Sequence, residues 1–288
     1  MRALFALLRP RDWVKNALVL TPLLFGAKLF DVEAVGRALL AALAFCLAAS
    51  AGYVWNDLAD READRRHPLK RSRPLAAGLV SPQSAALASL GLVLGALALA
   101  AWLGPPVVAC LAAYLGLAAA YSRFLKHVAI VDVLAIGAFY ILRVLVGSLA
   151  IDVPASDWLL MATGLLAVFL GLCKRRHELL LLGDEAARHR AVLGLTDARF
   201  LDAAISLTTS ATLIAYLLYA VDDHTVEKFG TRGMLVGAPF VFYGLLRYLH
   251  LVYSEGHGGN PSELVATDPG VLAAALGFAL ACGAVIYL

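Results

Sequence analysis

Nine apolar runs, each long enough to cross a lipid bilayer as a helix, dominate this sequence. A membrane-spanning helix needs about 20 predominantly apolar residues. Only helices and closed barrels satisfy all their backbone hydrogen bonds within lipid, and the alternation typical of barrel strands is absent. The runs therefore predict an all-α integral membrane protein. The predicted spans are residues 14–30, 34–55, 82–103, 105–121, 129–150, 158–173, 200–221, 234–252 and 270–288.

The composition fits a chain that lies almost entirely in the membrane. Of its 288 residues, 61% are hydrophobic and 16% are charged, whereas about 25% of a soluble domain is charged. The sequence has no Walker loop and no Ser/His/Asp arrangement, so ATP hydrolysis and acyl transfer are unsupported. No nucleic acid partner is expected. We expect a single membrane domain over residues 1–288, built from two half-bundles that each present a polar loop.

The distribution of lysine and arginine predicts the orientation of the chain. Of 24 such residues, 19 fall on the side that receives the N-terminus and the even-numbered connections. Positive charge is enriched in cytoplasmic loops, so we expect the N-terminus and the long polar connections in the cytoplasm and the C-terminus outside. This basic rim would attract anionic lipid heads or phosphates. The first run lacks a following signal-peptidase site, so we interpret it as a retained span.

The connection after the second run crowds four acids and six bases into residues 56–74. Asp57, Asp60 and Asp64 are spaced i, i+3 and i+7, which places them on one face of a helix. Three carboxylates on one face repel one another unless a cation lies among them. Because Mg²⁺ is usually held by carboxylates beside substrate phosphates, the spacing predicts a magnesium site formed by these three residues.

Basic residues follow the aspartates and suit phosphate oxygens. Lys70, Arg71 and Arg73 are the candidates to bind a diphosphate, with Arg65 and Arg66 close by in sequence. The segment therefore indicates a magnesium–diphosphate site. The alternative is an ordinary positive cytoplasmic loop whose acids neutralise its bases.

Polar residues near the first and fifth runs form a second set of candidates. Lys15 and Asn16 follow Trp13 by about one turn and are positioned either for ligand contact or for snorkelling to the interface. Asp132 and Arg143 lie within the fifth run, roughly 16 Å apart on one helix face. Charges inside a span usually face the bundle interior or a wet cavity. Asp132 would help to hold metal or orient a sugar hydroxyl, and Arg143 would pair with a partner carboxylate or contact a phosphate. Purely structural pairing of these charges is the alternative.

Two further clusters lie at the ends of the fourth and sixth runs. Tyr121 and Lys126 belong to the first, and Lys174, Arg175 and Glu178 to the second. The second cluster begins the other long polar connection and would converge with the first connection on a polyanionic substrate. The positive-inside bias alone is the alternative explanation for its bases.

Taken together, the motifs resemble the UbiA membrane prenyltransferase superfamily. The pattern Asn56-Asp57-x-x-Asp60-x-x-x-Asp64 at the end of the second span is similar to its aspartate-rich motif. A longer pattern is similar to the decaprenyl-phosphate phosphoribosyltransferase subfamily. That pattern comprises Arg9-Pro10-x-x-Trp13-Val14-Lys15-Asn16, Asp64-Arg65-x-His67-Pro68-x-Lys70-Arg71-x-Arg73-Pro74-x-Ala76-Ala77-Gly78, Tyr121-Ser122-x-x-Leu125-Lys126-His127 and Lys174-Arg175. The resemblance covers essentially the whole chain.

The chain departs from the superfamily pattern in two places. Prenyltransferases usually carry a second motif, DxxxD, after the sixth span, where this chain has basic residues from Lys174 onward. An anion such as a lipid phosphate or a sugar 5-phosphate suits those residues better than a second magnesium cluster. The subfamily also often has a tyrosine near Leu195, where this chain has Leu195 and Thr196.

The resemblance implies a nine-helix bundle with a cytoplasm-facing central cavity in a bacterial plasma membrane. It further implies Mg²⁺ as cofactor, 5-phosphoribosyl-1-diphosphate as donor and a polyprenyl phosphate as acceptor. Two alternatives remain open: a prenyltransferase that acts on a prenyl diphosphate, and a transporter of an anionic lipid. Glycine- and alanine-rich helix faces permit a homo-oligomer as well as packing within one chain. The expected substrate-binding residues are Lys15, Asn16, Asn56, Lys70, Arg71, Arg73, Tyr121, Lys126, Asp132, Arg143, Lys174, Arg175 and Glu178.

Overall fold

The computed structural model describes residues 2–66, 70–183, 194–256 and 258–288, and every regular element within these ranges is a helix. Eight helices are long and apolar enough to span a membrane: Val32–Ala59, Pro82–Leu103, Pro105–Arg123, Val131–Ala150, Asp157–Leu182, Ala198–Val221, Gly233–Tyr253 and Pro269–Tyr287. The prediction of an all-α, multi-pass membrane protein is confirmed. His67, Arg188 and the segment near Leu193 lie outside the described residues.

The chain divides into two compact units. The first comprises Met1–Ala135 and Leu142–Pro154, and the second comprises Ile136–Ile141 and Ala155–Leu288. The α-helices of the first unit are α1 (Arg2–Leu7), α2 (Thr21–Phe25), α3 (Val32–Ala59), α4 (Arg61–Arg66), α5 (Pro82–Leu103), α6 (Pro105–Arg123) and most of α7 (Val131–Ala150). It also contains two 3₁₀ helices, Pro10–Leu20 and Leu125–His127.

The first predicted span differs from the single helix expected over residues 14–30. Pro10–Leu20 forms a 3₁₀ helix, and only Thr21–Phe25 is α-helical. Pro22 at the start of α2 lacks a backbone N–H and cannot continue an α-helical ladder from the preceding turn. The 3₁₀ backbone also packs against Gly147 of α7, where a Cβ would overlap the carbonyl oxygen of Val19. Eight helices among the described residues meet the spanning criterion, so the nine-helix count stays a prediction.

Helix α3 carries the polar motif at its C-terminal end. Asp31 caps its N-terminus by accepting a hydrogen bond from the backbone N–H of Ala34 at 3.1 Å. Its 28 residues extend for about 42 Å, which exceeds the roughly 30 Å of a hydrocarbon core. The small residues Ala41, Ala48 and Ala49 are fully buried and let neighbouring helices approach closely. The helix is therefore longer than a hydrocarbon core is thick, and Asn56 and Asp57 lie in its final turn.

The second unit contains the remaining helices. They are α8 (Asp157–Leu182), α9 (Ala198–Val221), α10 (Asp223–Phe229), a 3₁₀ helix (Gly233–Gly237), α11 (Ala238–Tyr253), α12 (Pro261–Thr267) and α13 (Pro269–Tyr287). Phe169 of α8 meets Tyr248 of α11 edge to face, with 5.4 Å between the ring centroids. Arg247 of α11 donates to Asp268 Oδ2 at 2.7 Å, and Asp268 caps α13.

Candidate active site

The three aspartates lie around the junction of α3 and α4. Asp57 is in the last full turn of α3, Asp60 follows its final residue, and Asp64 is in α4. The helical ladder continues through the junction, because Asp60 N donates to Asn56 O at 2.9 Å and Asp64 N donates to Asp60 O at 2.8 Å. The side chains of Asp57 and Asp64 are buried and that of Asp60 is 31% exposed. Local helix geometry therefore keeps the motif together, as the spacing predicts.

Arg73 joins two of these carboxylates. Its Nη1 donates to Asp57 Oδ1 at 3.1 Å and to Asp64 Oδ2 at 2.7 Å. Both carboxylates are almost inaccessible to solvent, so these charge-assisted bonds are stronger than they would be on a surface. One carboxylate oxygen of Asp57 and one of Asp64 therefore bond to the same guanidinium nitrogen of Arg73.

Arg9 is a second cationic partner of Asp57. Its Nη2 donates to Asp57 Oδ1, and its guanidinium lies 5.2 Å from the ring centroid of Tyr53. Burial disfavours the charged form of Arg9, but the neighbouring Asp57 carboxylate and its hydrogen bond outweigh that effect and raise the pKa of Arg9. Asp57 is thus shared between two guanidinium groups, one from each side of it in sequence.

Asp60 pairs with a different basic residue. Lys126 Nζ, from the short 3₁₀ helix Leu125–His127, is ion-paired with Asp60 Oδ1 and lies 3.4 Å from Asn56 Oδ1. Lys126 is itself buried, so its charge is compensated by this pair. The structure therefore brings four predicted site residues, Asn56, Asp57, Asp60 and Asp64, into contact with two predicted bases, Arg73 and Lys126.

The electrostatics of Asp64 set it apart from an ordinary surface carboxylate. Burial raises the pKa of Asp64, and the positive charges of Arg73 and Lys70 oppose this rise only in part. Lys70 therefore acts on the site through its charge. Arg71 is exposed, and Tyr121 is half-buried near the end of α6.

The donor set fits a magnesium ion in its chemistry. Among the described residues no three His, Cys, Asp or Glu side chains are already grouped as a metal site. Each aspartate of the motif instead forms an ion pair with an arginine or lysine side chain. Carboxylate oxygens are nevertheless the ligands that Mg²⁺ prefers, and Asp57 and Asp64 already converge on one cationic nitrogen.

Asn16 and Arg143 form a buried polar pair within the first unit. Arg143 Nε donates to Asn16 Oδ1 at 2.9 Å, and Asn16 Nδ2 donates to Cys46 Sγ at 3.2 Å. The Arg143 guanidinium also lies over the rings of Phe45 and Tyr114. Arg143 thus has an amide and two aromatic rings as partners within this unit. Its role with substrate stays a prediction.

The remaining candidates of the first unit are Asp132 and Lys15. Asp132 is buried in the first turn of α7. Lys15 Nζ pairs with Asp12 Oδ1 at 2.9 Å, and both side chains are about one quarter exposed. Lys15 therefore has a local partner one turn earlier in the 3₁₀ helix, and its contact with ligand stays a prediction.

The basic cluster of the second unit is ordered by its own acids. Arg175 is buried and donates through Nη1 to Glu178 Oε2 on the next turn of α8. Arg176 donates to Asp202 of α9 and stacks 4.1 Å from the ring centroid of Tyr253. Lys174 is half-buried on the same helix. The expected convergence of this cluster with the aspartate motif stays a prediction.

Comparisons with known proteins identify the family. The model of the UbiA prenyltransferase family matches residues 19–260. The chain belongs to the UbiA prenyltransferase family. It is 35% identical to the decaprenyl-phosphate phosphoribosyltransferase of Mycobacterium tuberculosis, over 97% of this chain and 92% of that protein. It is 31% identical to the decaprenyl-phosphate phosphoribosyltransferase of Corynebacterium glutamicum, over 98% of this chain and 86% of that protein.

Solved structures of UbiA homologues share the fold. A UbiA homologue from Archaeoglobus fulgidus, solved with GPP and Mg²⁺, superposes with a TM-score of 0.74 at 21% identity, covering 99% of this chain and all of that one. A homologue from Aeropyrum pernix superposes with a TM-score of 0.65 at 18% identity, covering 99% and 96%. The expectation of a UbiA-like fold is confirmed.

Arg9 is the site residue of this UbiA family member that was absent from the predicted set. Its backbone has φ 50° and ψ 59°, although a residue before proline usually adopts an extended conformation. Neither that conformation nor the contact with Asp57, 48 residues away, follows from local sequence. The sequence signal for Arg9 was its position directly before Pro10 and near Trp13, just ahead of the first predicted span.

Proposed function

We propose that this protein transfers the 5-phosphoribosyl group from 5-phosphoribosyl-1-diphosphate to a polyprenyl phosphate such as decaprenyl phosphate. The products are polyprenyl-phosphoryl-5-phosphoribose and diphosphate. The observation that carries the proposal is the 31–35% identity, over nearly the whole chain, to proteins named decaprenyl-phosphate phosphoribosyltransferase. The aspartate–arginine network supports it, because it supplies the groups that a metal–diphosphate substrate requires.

The aspartates have the metal-binding role in this proposal. Asp57, Asp60 and Asp64 hold Mg²⁺, and Asn56 supports them. When bound, the metal supplies positive charge that stabilises the departing diphosphate. Asp57 and Asp64 are held in place by Arg73, and Asp60 is held by Lys126. These contacts hold the carboxylates in the ligand-free protein, and a metal–diphosphate ligand would exchange some of them for its own.

The basic residues bind the two anionic substrates. Arg73, Lys70 and Arg71 bind the diphosphate of the donor, which competes with the carboxylates for the same guanidinium and ammonium groups. Lys15 and Lys126 help to bring donor and acceptor phosphates together despite their mutual repulsion. The lipid phosphate is already an anion, so it attacks ribose C1 without a general base. Breaking the C1–diphosphate bond leaves the electron pair on the departing oxygen.

The basic cluster of α8 binds a further phosphate. Lys174 and Arg175 bind the lipid phosphate or the 5-phosphate of the ribose. Glu178 orients Arg175 by accepting its hydrogen bond. Tyr121, Asn16, Asp132 and Arg143 complete the proposed binding set, with Asp132 and Arg143 contacting sugar hydroxyl or phosphate. Apolar surface between helices holds the isoprenoid tail.

The proposed setting is the plasma membrane of a bacterium, with the N-terminus and the site in the cytoplasm and the C-terminus outside. The lipid-linked phosphoribose then serves as a precursor of pentose-containing cell-wall polymers. Helix faces rich in glycine and alanine permit a homo-oligomer. A Cβ added at Gly91 of α5 would meet nothing within 4 Å, whereas one at Gly95 would contact Leu47 of the same chain.

A transfer assay tests the proposal. The purified protein in detergent is given Mg²⁺, decaprenyl phosphate and 5-phosphoribosyl-1-diphosphate, and the lipid product is identified by mass. We expect a lipid heavier by one phosphoribosyl group, lost with chelator and in Asp57→Asn. Glu62→Gln is the matched control, since Glu62 is a 69% exposed carboxylate in the same segment. Activity only with a prenyl diphosphate, or movement of lipid phosphate with unchanged mass, would overturn the proposal.

A further inference from the structure

One face of α3 binds the chain segment that precedes the first 3₁₀ helix. Ser50 Oγ donates to Leu8 O at 2.9 Å, and Trp13 Nε1 donates to Ser50 Oγ at 3.1 Å. One turn further along α3, the ring of Tyr53 lies under the Arg9 guanidinium, and a turn beyond it Arg9 bonds Asp57. The spacing of 3 and then 4 residues puts these α3 side chains on one face. The segment is thus fixed at several points.

Arg9 has an unfavourable backbone conformation within that segment. A positive φ is uncommon for a residue with a side chain, and Arg9 has φ 50° directly before Pro10. Strained residues persist where surrounding contacts fix them, and they cluster at functional sites. Here the tethers at Leu8 and Trp13 fix the backbone on both sides of Arg9. Their effect is to direct a guanidinium at a carboxylate that a metal would need.

Asp57 therefore has competing partners before any metal arrives. Its side chain is 2% exposed and accepts hydrogen bonds from both Arg9 and Arg73. Both bonds fall on Oδ1, so a divalent cation that binds Asp57 must bind beside two guanidinium charges, which oppose it. A diphosphate offers several anionic oxygens, which are strong alternative acceptors for guanidinium groups.

We propose that Arg9 is a positioning residue that holds Asp57 in the metal-free protein and competes with divalent metal for that carboxylate. Metal alone then binds weakly, and metal accompanied by a diphosphate binds tightly, because the diphosphate draws Arg9 away from Asp57. This inference rests on the metal-binding role proposed for Asp57. The site then binds metal tightly only when a diphosphate binds with it.

Metal binding to the purified full-length protein tests the inference without any turnover. Free Mn²⁺ is titrated by electron paramagnetic resonance, with and without inorganic diphosphate, for wild type, Arg9→Gln and Arg9→Gly. Glycine adopts a positive φ without strain, so Arg9→Gly keeps the test valid if Arg9→Gln folds poorly. Arg11→Gln is the matched control, because it removes the same charge from an exposed position two residues away.

We expect Mn²⁺ alone to bind roughly tenfold more tightly to both Arg9 variants than to wild type, equivalent to about 1.4 kcal/mol. The tightening caused by diphosphate should shrink correspondingly, and Arg11→Gln should match wild type. Mn²⁺ affinity that is unchanged or weaker in the folded Arg9 variants would overturn the inference. That result is separate from failure of the proposed function, which would show as absent phosphoribosyl transfer by the wild-type protein.

Discussion

Arg143 donates a 2.9 Å hydrogen bond to Asn16, and this contact joins the middle of α7 to the N-terminal 3₁₀ helix. Both side chains are buried. A hydrogen bond to a charged group contributes about 1.5–3 kcal/mol, and loss of the Asn16 amide would remove this contribution.

We therefore expect Asn16→Ala to lower the free energy of unfolding by about 2 kcal/mol. Denaturant-induced unfolding in detergent measures the change. Lys15→Ala is the matched control, because the neighbouring Lys15–Asp12 pair is partly exposed and such pairs contribute about 0–1 kcal/mol. Equal stability of Asn16→Ala and wild type would show that Asn16 is not a required partner of Arg143.

Replacing Gly147 even with alanine should destabilise the protein. A Cβ at this position would overlap the carbonyl oxygen of Val19, whereas a Cβ at Gly116 of α6 would meet nothing within 4 Å. Gly147→Ala should therefore separate the 3₁₀ helix from α7 and lower the melting temperature. Gly116→Ala should stabilise by about 0.5–1 kcal/mol, because alanine favours a helix interior. Differential scanning fluorimetry on both variants makes the comparison, and similar shifts in the two would contradict the close approach.

The aspartates of the motif should be far more sensitive to substitution than their acidic neighbour. Asp57→Asn, Asp60→Asn and Asp64→Asn should each reduce turnover by about 10²–10³-fold, the usual effect of removing a group that stabilises developing charge. Glu62→Gln should retain nearly normal turnover, because Glu62 pairs with Arg61 and Arg65 of the same segment and is largely exposed. Initial rates of lipid product formation decide this, and near-normal turnover in Asp60→Asn would remove Asp60 from the metal site.

The Arg247–Asp268 ion pair should make stability depend on pH. The hydrogen bond from Arg247, followed by the backbone N–H of Val271, lowers the pKa of Asp268 below its ordinary value. A lowered pKa in the folded state adds stability above the ordinary aspartate pKa, and that stability is lost as pH falls through the folded-state pKa.

Asp268→Asn should consequently be less stable than wild type at neutral pH, and the difference should vanish in acid. Asparagine still caps a helix N-terminus, so the comparison isolates the charge. Melting temperatures across pH check it. A difference that persists unchanged at low pH would mean that the carboxylate charge is not the stabilising feature.

Much of the fold was predictable because hydropathy and helix spacing are local properties. The spans from residue 34 onward and the grouping of Asp57 with Asp64 follow from run length and periodicity. The 3₁₀ helix over Pro10–Leu20 does not, since 3₁₀ and α-helices share the same apolar composition and the choice here depends on packing against Gly147. Hydropathy alone therefore gave an expected single helix over residues 14–30 where the chain forms two short ones.

The partners of the aspartates were less predictable than the aspartates themselves. Lys126 reaches Asp60 from 66 residues away, and Arg9 reaches Asp57 from 48 residues away. Both contacts depend on how α3 packs against elements remote in sequence. The sequence identified Lys126 as a candidate through its motif, but the charge pairing of each base with a particular carboxylate required the tertiary structure.

The proposed reaction breaks the bond between ribose C1 and the diphosphate and passes the sugar to a lipid phosphate. A donor labelled with ¹⁴C in the ribose and ³²P in the β-phosphate tests it directly, with Mg²⁺ and decaprenyl phosphate. We expect ¹⁴C to enter the lipid phase while ³²P is released to water as diphosphate, and we expect Asp57→Asn to abolish both changes. Transfer of ³²P to lipid, or release of diphosphate without ¹⁴C in lipid, would rule out phosphoribosyl transfer at this site.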